Sequence, residues 1–246
     1  MTTNGQDLGA HVALVTGASR GIGAAIAWVL AEVGAAVAVN FRERAGDAEA
    51  VVAKIKANGG RAIAVAADVS QAAAVAKMVE QISAALGPVD ILVNNAGMAI
   101  VRGVDDLTED DFDRTIAVNL KSAFLCTQAV LPGMRARKWG RIVNISSGAA
   151  RGAGAIGVHY NASKAGMEGL TRGYAARLVK EGITVNAVAP SLIATDMMGG
   201  RTDLARNIPL GRMGQAEEVA QAVAMVLGNS YMTGQTIVLN GGMAFI

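Results

Sequence analysis

The chain has 246 residues, of which 52% are hydrophobic and 30 are glycine, and its formal net charge is +2. This composition excludes intrinsic disorder, and a chain of this length buries enough surface to fold without disulfides or a structural metal. The one cysteine, Cys126, excludes a disulfide framework, and the balanced charge offers no basic arm for nucleic acid. We expect a cytoplasmic protein with no metal site and with neither nucleic acid nor membrane as a partner.

Short β-branched segments alternate with alanine-rich helical segments along the whole chain. Strands are predicted at residues 12–16, 37–41, 62–66, 91–93, 142–145, 184–188 and 236–239. Helices that connect parallel strands are predicted at residues 21–33, 44–58, 71–86, 109–138, 160–180 and 217–227. The pattern predicts one α/β domain over residues 1–246. It contains a doubly wound sheet of seven parallel strands with helices on both faces, after a flexible tail at residues 1–10.

A glycine-rich turn, Thr16-Gly-Ala-Ser-Arg-Gly-Ile-Gly23, lies between the first predicted strand and a predicted helix. Glycines let the backbone approach a pyrophosphate closely, and the free N–H groups and dipole at a helix start favour an anion. The turn therefore predicts a dinucleotide site. The same glycines are also compatible with nothing more than tight packing of strand against helix.

The end of the second predicted strand indicates which dinucleotide is bound. Asn40 stands where an NAD enzyme carries an acidic side chain for the ribose hydroxyls. Arg20 in the glycine turn, with Arg42 and Arg44 after the strand, offers positive charge to a 2′-phosphate. NADP(H) is therefore favoured over NAD(H). In the alternative interpretation, Arg42 and Arg44 open a helix and pair with neighbouring carboxylates.

Polar residues also follow the third and fourth predicted strands, as Asp68-Val69 and Asn94-Asn-Ala-Gly97. The carboxyl ends of parallel strands line the ligand crevice of an open sheet, so these residues are predicted to join the same site. Each of them is also an ordinary turn former.

Tyr160 and Lys164 are four residues apart in a predicted helix, so their side chains share one face. A free tyrosine has a pKa of about 10, and a nearby ammonium group favours the phenolate. Lowering this pKa by two to three units takes about 3–4 kcal/mol, which Lys164 and a cationic nicotinamide are expected to supply together. On its own, the same spacing is common on exposed helix faces.

The order and spacing of these motifs resemble the short-chain dehydrogenase/reductase family from about residue 11 to the C-terminus. The resemblance implies a Rossmann-type fold, transfer of the pro-S hydride of a nicotinamide, and a catalytic tetrad of Asn119, Ser147, Tyr160 and Lys164. The nucleotide contacts that it implies, together with the motifs above, are Gly17, Ser19, Arg20, Gly21, Ile22, Gly23, Asn40, Arg42, Asp68, Val69, Asn95, Ala96, Gly97, Tyr160, Lys164, Pro190, Ile193 and Thr195.

Each member of the implied tetrad has a chemical role. Ser147 hydrogen-bonds the substrate oxygen and Tyr160 protonates it. Lys164 tunes Tyr160 and holds the nicotinamide ribose, and Asn119 supports a water in the proton relay. The neighbours Ser146 and His159 are weaker candidates, because strand alternation turns Ser146 away and one helical position turns His159 by about 100°.

Within the family, the segments WGRIVNISS, NASKAGMEGLTR and GQTIVLNGGM are most similar to 3-oxoacyl-thioester reductases of fatty-acid synthesis. Two features depart from that group. Ser191 replaces the glycine that usually follows Pro190, and the expected substrate lid, about residues 191–213, is shorter. The methionines in or beside this lid suit either an adaptable acyl site or ordinary core packing, and they are Met197, Met198 and Met213.

The sequence is compatible with three forms of the substrate: a thioester of acyl-carrier protein, a thioester of coenzyme A, or a free ketone. Glu181 stands where reductases of acyl-carrier protein tend to have a basic residue. The basic side chains that remain for an acidic partner are Arg135, Arg137, Lys138 and Arg141.

Three functions are therefore considered. The first is NADPH-dependent reduction of a 3-oxoacyl thioester to the 3-hydroxyacyl form. The second is an NAD(P)-dependent dehydrogenase of a secondary alcohol, polyol or ring ketone. The third is a non-catalytic NADP-binding scaffold, against which the intact Ser147, Tyr160 and Lys164 argue. The resemblance also implies a homotetramer, and the apolar stretches 116–131 and 162–178 are compatible with further burial.

Overall fold

A seven-stranded parallel sheet forms the centre of the computed structural model, which describes residues 8–196 and 202–245. All seven predicted strands are confirmed, with ends that lie within two residues of the predicted ones. The strands are β1 (Val12–Val15), β2 (Ala36–Phe41), β3 (Ala62–Ala66), β4 (Val89–Asn94), β5 (Gly140–Ile145), β6 (Ile183–Pro190) and β7 (Thr236–Leu239).

The helices cover both faces of this sheet, as predicted. They are α1 (Gly21–Glu32), α2 (Ala45–Ala57), α3 (Ala72–Ala85), α4 (Glu109–Ile116), α5 (Ser122–Arg137), α6 (Val158–Leu178) and α7 (Ala216–Gly228). Successive residues of β1 enter different cores: Val15 packs with α1, α2 and α7, whereas Leu14 packs with α3, α5 and α6. Because both faces are covered, the strands are continuous apolar runs rather than alternating ones.

The strand order is β3-β2-β1-β4-β5-β6-β7, so the direction of winding reverses between β1 and β4. In an open α/β sheet this reversal separates the loops at the carboxyl ends of the two strands and leaves a crevice for a ligand. The fold therefore places the glycine turn after β1 and the Asn94–Gly97 segment after β4 on the two sides of one crevice.

The helix predicted over residues 109–138 is interrupted by a π-helical turn at Ala117–Lys121, which separates α4 from α5. Such a turn has no clear sequence pattern, and it is frequent at functional sites. Here it carries Asn119, whose side chain has no exposed surface.

The fold begins earlier than predicted, within the tail assigned to residues 1–10. Leu8 is only 4% exposed and its N–H donates to the Val33 carbonyl, so residue 8 already belongs to the core. Residues 1–7 lie outside the described residues. So do Met197 and Met198 of the predicted lid, whereas Met213 is buried.

Candidate active site

The glycine turn is shaped by close approach of the chain on both sides of the crevice. Gly17 has φ +61°, and a Cβ at this position would lie 2.9 Å from the Cα of Ala96. A Cβ on Gly23 would lie 2.5 Å from the Asn95 amide nitrogen. That amide donates to the carbonyls of Thr16 (2.9 Å) and Gly17 (3.0 Å) and so fixes the turn against the end of β4. The turn therefore has no room for side chains at its narrowest points.

A cleft of about 360 Å³ opens above this turn, along the carboxyl ends of the strands. Every residue assigned to the dinucleotide from the sequence lines it, and so do Ser147, Tyr160 and Lys164 of the tetrad. A glycine turn at a helix start, with one long cleft running from it to a buried tyrosine and lysine, can hold an extended anionic ligand.

Asn40 lines the cleft as predicted, and its side chain is hydrogen-bonded within the protein. Its side chain is 2% exposed, accepts from the Gly17 N–H (3.1 Å) and donates to the carbonyls of Val65 (3.3 Å) and Ala67 (3.2 Å). The amide is therefore occupied in joining the glycine turn to β2 and β3. Phe41, the next residue, has the more exposed side chain at this end of the cleft.

The arginines after β2 are paired, as the alternative interpretation held. Arg42 contacts Glu43 at 2.6 Å and Arg44 contacts Asp47 at 3.2 Å, and all four side chains are about half exposed or more. Both arginines still line the cleft, as does Glu43. A phosphate at this position would therefore meet positive charge that a carboxylate already partly neutralises.

Asp68 follows β3 at the same end of the cleft. Burial raises the pKa of its carboxyl group, but hydrogen bonds from the hydroxyl and N–H of Ser70, with the charge of Arg42, more than offset this and hold the pKa below its usual value. Asp68 is therefore a fixed acceptor at neutral pH.

Tyr160 and Lys164 both lie on α6 and are almost entirely buried. Burial raises the pKa of Tyr160 above its ordinary value, and a hydrogen bond with Ser147 lowers it only in part. The Ser147 oxygen accepts from the Ala149 N–H at 3.2 Å, which leaves the hydroxyl proton for donation to Tyr160. Ser147 and Tyr160 thus form a pair of hydroxyl groups that can act on one oxygen atom.

The Lys164 Nζ lies 5.8 Å from the centre of the Tyr160 ring and donates to the Ile145 carbonyl at 2.8 Å. Burial lowers the pKa of this amine to about 8. Among the protein groups, burial is the largest influence on the pKa of Tyr160 and raises it. The prediction that Lys164 and a cationic nicotinamide together lower this pKa stays a prediction.

Asn119 is the tetrad residue that does not line the cleft. Its Oδ1 accepts from the Met98 N–H (2.8 Å), and its amide donates to the Met98 carbonyl (3.0 Å) and the Ser163 hydroxyl (3.2 Å). It therefore joins the π-helical turn to α6 and to the segment after β4. This arrangement fixes the position of α6 but does not test the predicted water contact.

The two weaker candidates have structural partners. Ser146 is buried, and its hydroxyl donates to the Lys164 carbonyl (3.3 Å) and the Glu168 carboxylate (3.5 Å). His159 is buried with Nε2 at 2.9 Å from the Ile100 carbonyl. Ser146 still lines the cleft and His159 does not, and the side chains of both are engaged within the protein.

Sequence reasoning missed some residues that line the cleft. Asp196 contacts Arg20 at 3.0 Å across the cleft, and no sequence signal joins residues 176 positions apart. Glu43 was considered from the sequence only as a partner of the arginines after β2, and not as a residue that lines the cleft. Strand alternation could have identified Phe41, which is the neighbour of the predicted Asn40.

No helix among residues 8–196 and 202–245 is long and apolar enough to cross a membrane. Within the same residues, no three His, Cys, Asp or Glu side chains are grouped closely enough to hold a metal ion.

The family described as short chain dehydrogenase matches residues 11–204. The 3-oxoacyl-[acyl-carrier-protein] reductase of Synechocystis sp. is 44% identical over 241 residues, which are 96% of this chain and 98% of that protein. The enzyme of the same name from Pseudomonas aeruginosa is 43% identical over 239 residues, covering 94% of this chain and 96% of that protein.

Solved structures agree along nearly the whole length. A blue fluorescent protein from a metagenomic library, in complex with NADPH, has a TM-score of 0.91 at 40% identity and covers 98% of this chain and 100% of its own. A dehydrogenase/reductase from Sinorhizobium meliloti has a TM-score of 0.89 at 38% identity, covering 96% of each chain.

Proposed function

The chain belongs to the short-chain dehydrogenase/reductase family, and we propose that it uses NADPH to reduce the 3-oxo group of an acyl thioester to a hydroxyl group. The observation that carries this proposal is the hydroxyl pair of Ser147 and Tyr160, which lies at one end of a cleft that begins at a glycine turn. The names of the most similar relatives supply the substrate class.

The cleft fits a dinucleotide. The glycine turn packs tightly against Ala96 at Gly17, and the start of α1 offers free N–H groups to a pyrophosphate. Arg20 and Arg42 lie where they would contact the phosphate groups. When bound there, the reduced nicotinamide supplies the hydride.

The protein side of the reaction is a proton transfer. Ser147 donates a hydrogen bond to the ketone oxygen and so holds the carbonyl group in place. Tyr160, which burial keeps in its neutral form, gives its proton to the same oxygen as negative charge develops there. Lys164 holds the helix face and the strand end together through Ile145 and presents its amine toward the cleft.

The basic side chains considered for binding an acidic acyl-carrier protein are largely paired with carboxylates or buried. Arg135 forms two bonds with Glu181, at 2.6 and 3.1 Å, and Arg137 pairs with Asp90 at 2.9 Å. Arg141 is buried. A docking surface for acyl-carrier protein therefore has little free charge at this place.

The test is reduction of acetoacetyl-CoA by NADPH, followed at 340 nm. We expect turnover by the wild type, loss of at least a thousandfold in kcat for Tyr160→Phe, and normal NADPH binding by that variant. Tyr174→Phe is the matched control, since Tyr174 lies on the same helix and, among residues 8–196 and 202–245, its hydroxyl is hydrogen-bonded to Gln128 alone. Wild-type protein that ignores acetoacetyl-CoA but oxidises secondary alcohols rapidly would favour the dehydrogenase instead. Equal activity of Tyr160→Phe and wild type would overturn the proposed chemistry.

We also propose that the chain forms a homotetramer in a reducing, cytoplasmic setting. Apolar side chains are exposed on the helices α4 and α5 at Phe112 and Phe124, and near β7 at Tyr231 and Phe245. Exposed aromatic groups of this size mark surfaces that a partner covers. Light scattering that finds only monomer at micromolar concentration would exclude the assembly.

A further inference from the structure

Ser191 lines the cleft and has no part in the proposed mechanism. It follows β6 directly, and its N–H donates to the Leu239 carbonyl of β7 at 2.9 Å, so its backbone is fixed by the sheet. Its side chain lines the same cleft as Ser147 and Tyr160. Within residues 8–196 and 202–245, its hydroxyl group has no hydrogen-bond partner.

The hydroxyl of Ser191 lies against Gly148, the residue after Ser147. A Cβ on Gly148 would overlap the Ser191 oxygen, whereas the Ser191 Cβ would be 3.5 Å away. Gly148 therefore provides the space in which the hydroxyl lies. The register of β5 and β6 continues with Gly148 opposite Ser191 and Ser147 opposite Pro190, so the two serines are diagonal neighbours on adjacent chains, roughly 6 Å apart along the backbone.

A 3-oxoacyl thioester carries two carbonyl oxygens on alternate carbons, and Ser147 with Tyr160 occupies only the first. Building on the proposed function, we propose that the Ser191 hydroxyl donates a hydrogen bond to the second oxygen, that of the thioester, and so selects 1,3-dicarbonyl substrates. A site that contains a hydroxyl aimed at this oxygen disfavours a ketone that lacks it, because the hydroxyl is then left unpaired.

Ser191→Ala removes only the hydroxyl group. We expect KM for acetoacetyl-CoA to rise about tenfold, the size of one neutral hydrogen bond, with kcat changed less than twofold. Two further readouts are expected to stay within twofold: the Kd for NADPH by fluorescence titration, and kcat/KM for a monoketone from a panel of C4 to C10 ketones. The control is Ser83→Ala, which removes an exposed hydroxyl on α3.

A second pair of variants tests the same contact from the other side. Gly148→Ala displaces the Ser191 hydroxyl and is expected to raise KM for acetoacetyl-CoA as Ser191→Ala does. In a protein that already carries Ser191→Gly, the further change Gly148→Ala is expected to alter KM little, because no hydroxyl is left to displace. An unchanged KM in Ser191→Ala, or an equal loss on monoketones, overturns the inference and leaves the proposed function standing. A weakened NADPH Kd overturns it too, since the hydroxyl then serves the nicotinamide. Wild-type protein without activity on acetoacetyl-CoA overturns both.

Discussion

Replacing Lys164 by methionine is expected to abolish turnover. It is also expected to raise the free energy of unfolding relative to wild type, by more at neutral pH than at alkaline pH. The side chain of Lys164 is 4% exposed, and burial lowers its pKa from 10.5 to about 8. One pKa unit corresponds to about 1.4 kcal/mol, so charging the buried amine costs the folded state about 3 kcal/mol. Methionine has a similar length and carries no charge to bury.

The sign of the effect follows from where the proton is held. Below about pH 8 the lysine is protonated in the folded and the unfolded chain, and the full cost is present. Between about pH 8 and 10.5 only the unfolded chain keeps the proton, so the cost fades as the pH rises. The advantage of Lys164→Met over wild type should therefore shrink by about 2 kcal/mol between pH 7 and 9.5.

Urea unfolding followed by circular dichroism, at both pH values, measures this difference. The absolute advantage is smaller than 3 kcal/mol, because methionine leaves the Ile145 carbonyl without its donor, at a cost of about 1–3 kcal/mol. The change with pH is free of that term, since it is the same at both values. Lys77→Met, at an exposed position on α3, is the control. A difference that does not change with pH would refute the reasoning, because Lys164 would then titrate like an ordinary lysine.

Three other predictions concern the ends of the cleft. Glu43→Gln frees Arg42 from its 2.6 Å contact, so fluorescence titration should give a Kd for NADPH several-fold lower and an unchanged Kd for NADH; equal shifts would exclude a 2′-phosphate contact. Asn40→Ala leaves the Gly17 N–H and two carbonyls unpaired and should lower the free energy of unfolding by about 2–4 kcal/mol in urea, whereas a loss below about 0.5 kcal/mol would contradict it. Because burial raises the pKa of Tyr160, ketone reduction should be constant from pH 7 to 9 while alcohol oxidation increases; parallel pH profiles would contradict a neutral phenol.

The fold and the location of the site follow from local patterns in the sequence. Runs such as Ala62–Ala66 are apolar at every position because helices cover both faces of the sheet. Such a run can be recognised in the sequence without knowing which helices pack against it. The glycine turn is equally local, since Gly17 and Gly23 are required by the chain that passes close to them. The π-helical turn at Asn119 was not predictable from the sequence. Its backbone hydrogen bonds span five residues instead of the four of an α-helix, and no particular amino-acid composition marks this change.

Details that depend on side-chain partners were not accessible in the same way. Asn40 was assigned to the nucleotide site from its place at the end of β2, but its hydrogen bonds with three backbone groups, of Gly17, Val65 and Ala67, could not be read from the sequence. Arg42 was considered both as a phosphate contact and as a member of an ion pair, and its geometry with Glu43 decides for the pair in this structure. The spacing of residues in the sequence predicts which of them lie at a site. It does not predict which side chains pair there, because that depends on distances between atoms in the folded protein.

The neutral state of Tyr160 bears on the direction of the reaction. A general acid must hold its proton when the carbonyl group arrives, and burial ensures this at Tyr160. Alcohol oxidation needs the phenolate, and the group that could stabilise it, Lys164, has a pKa of about 8 and begins to lose its own charge where a phenolate would be needed. The protein groups of the site therefore hold the proton that reduction needs at its start. Oxidation relies on positive charge brought by the oxidised nicotinamide, so it should be the more strongly pH-dependent of the two directions.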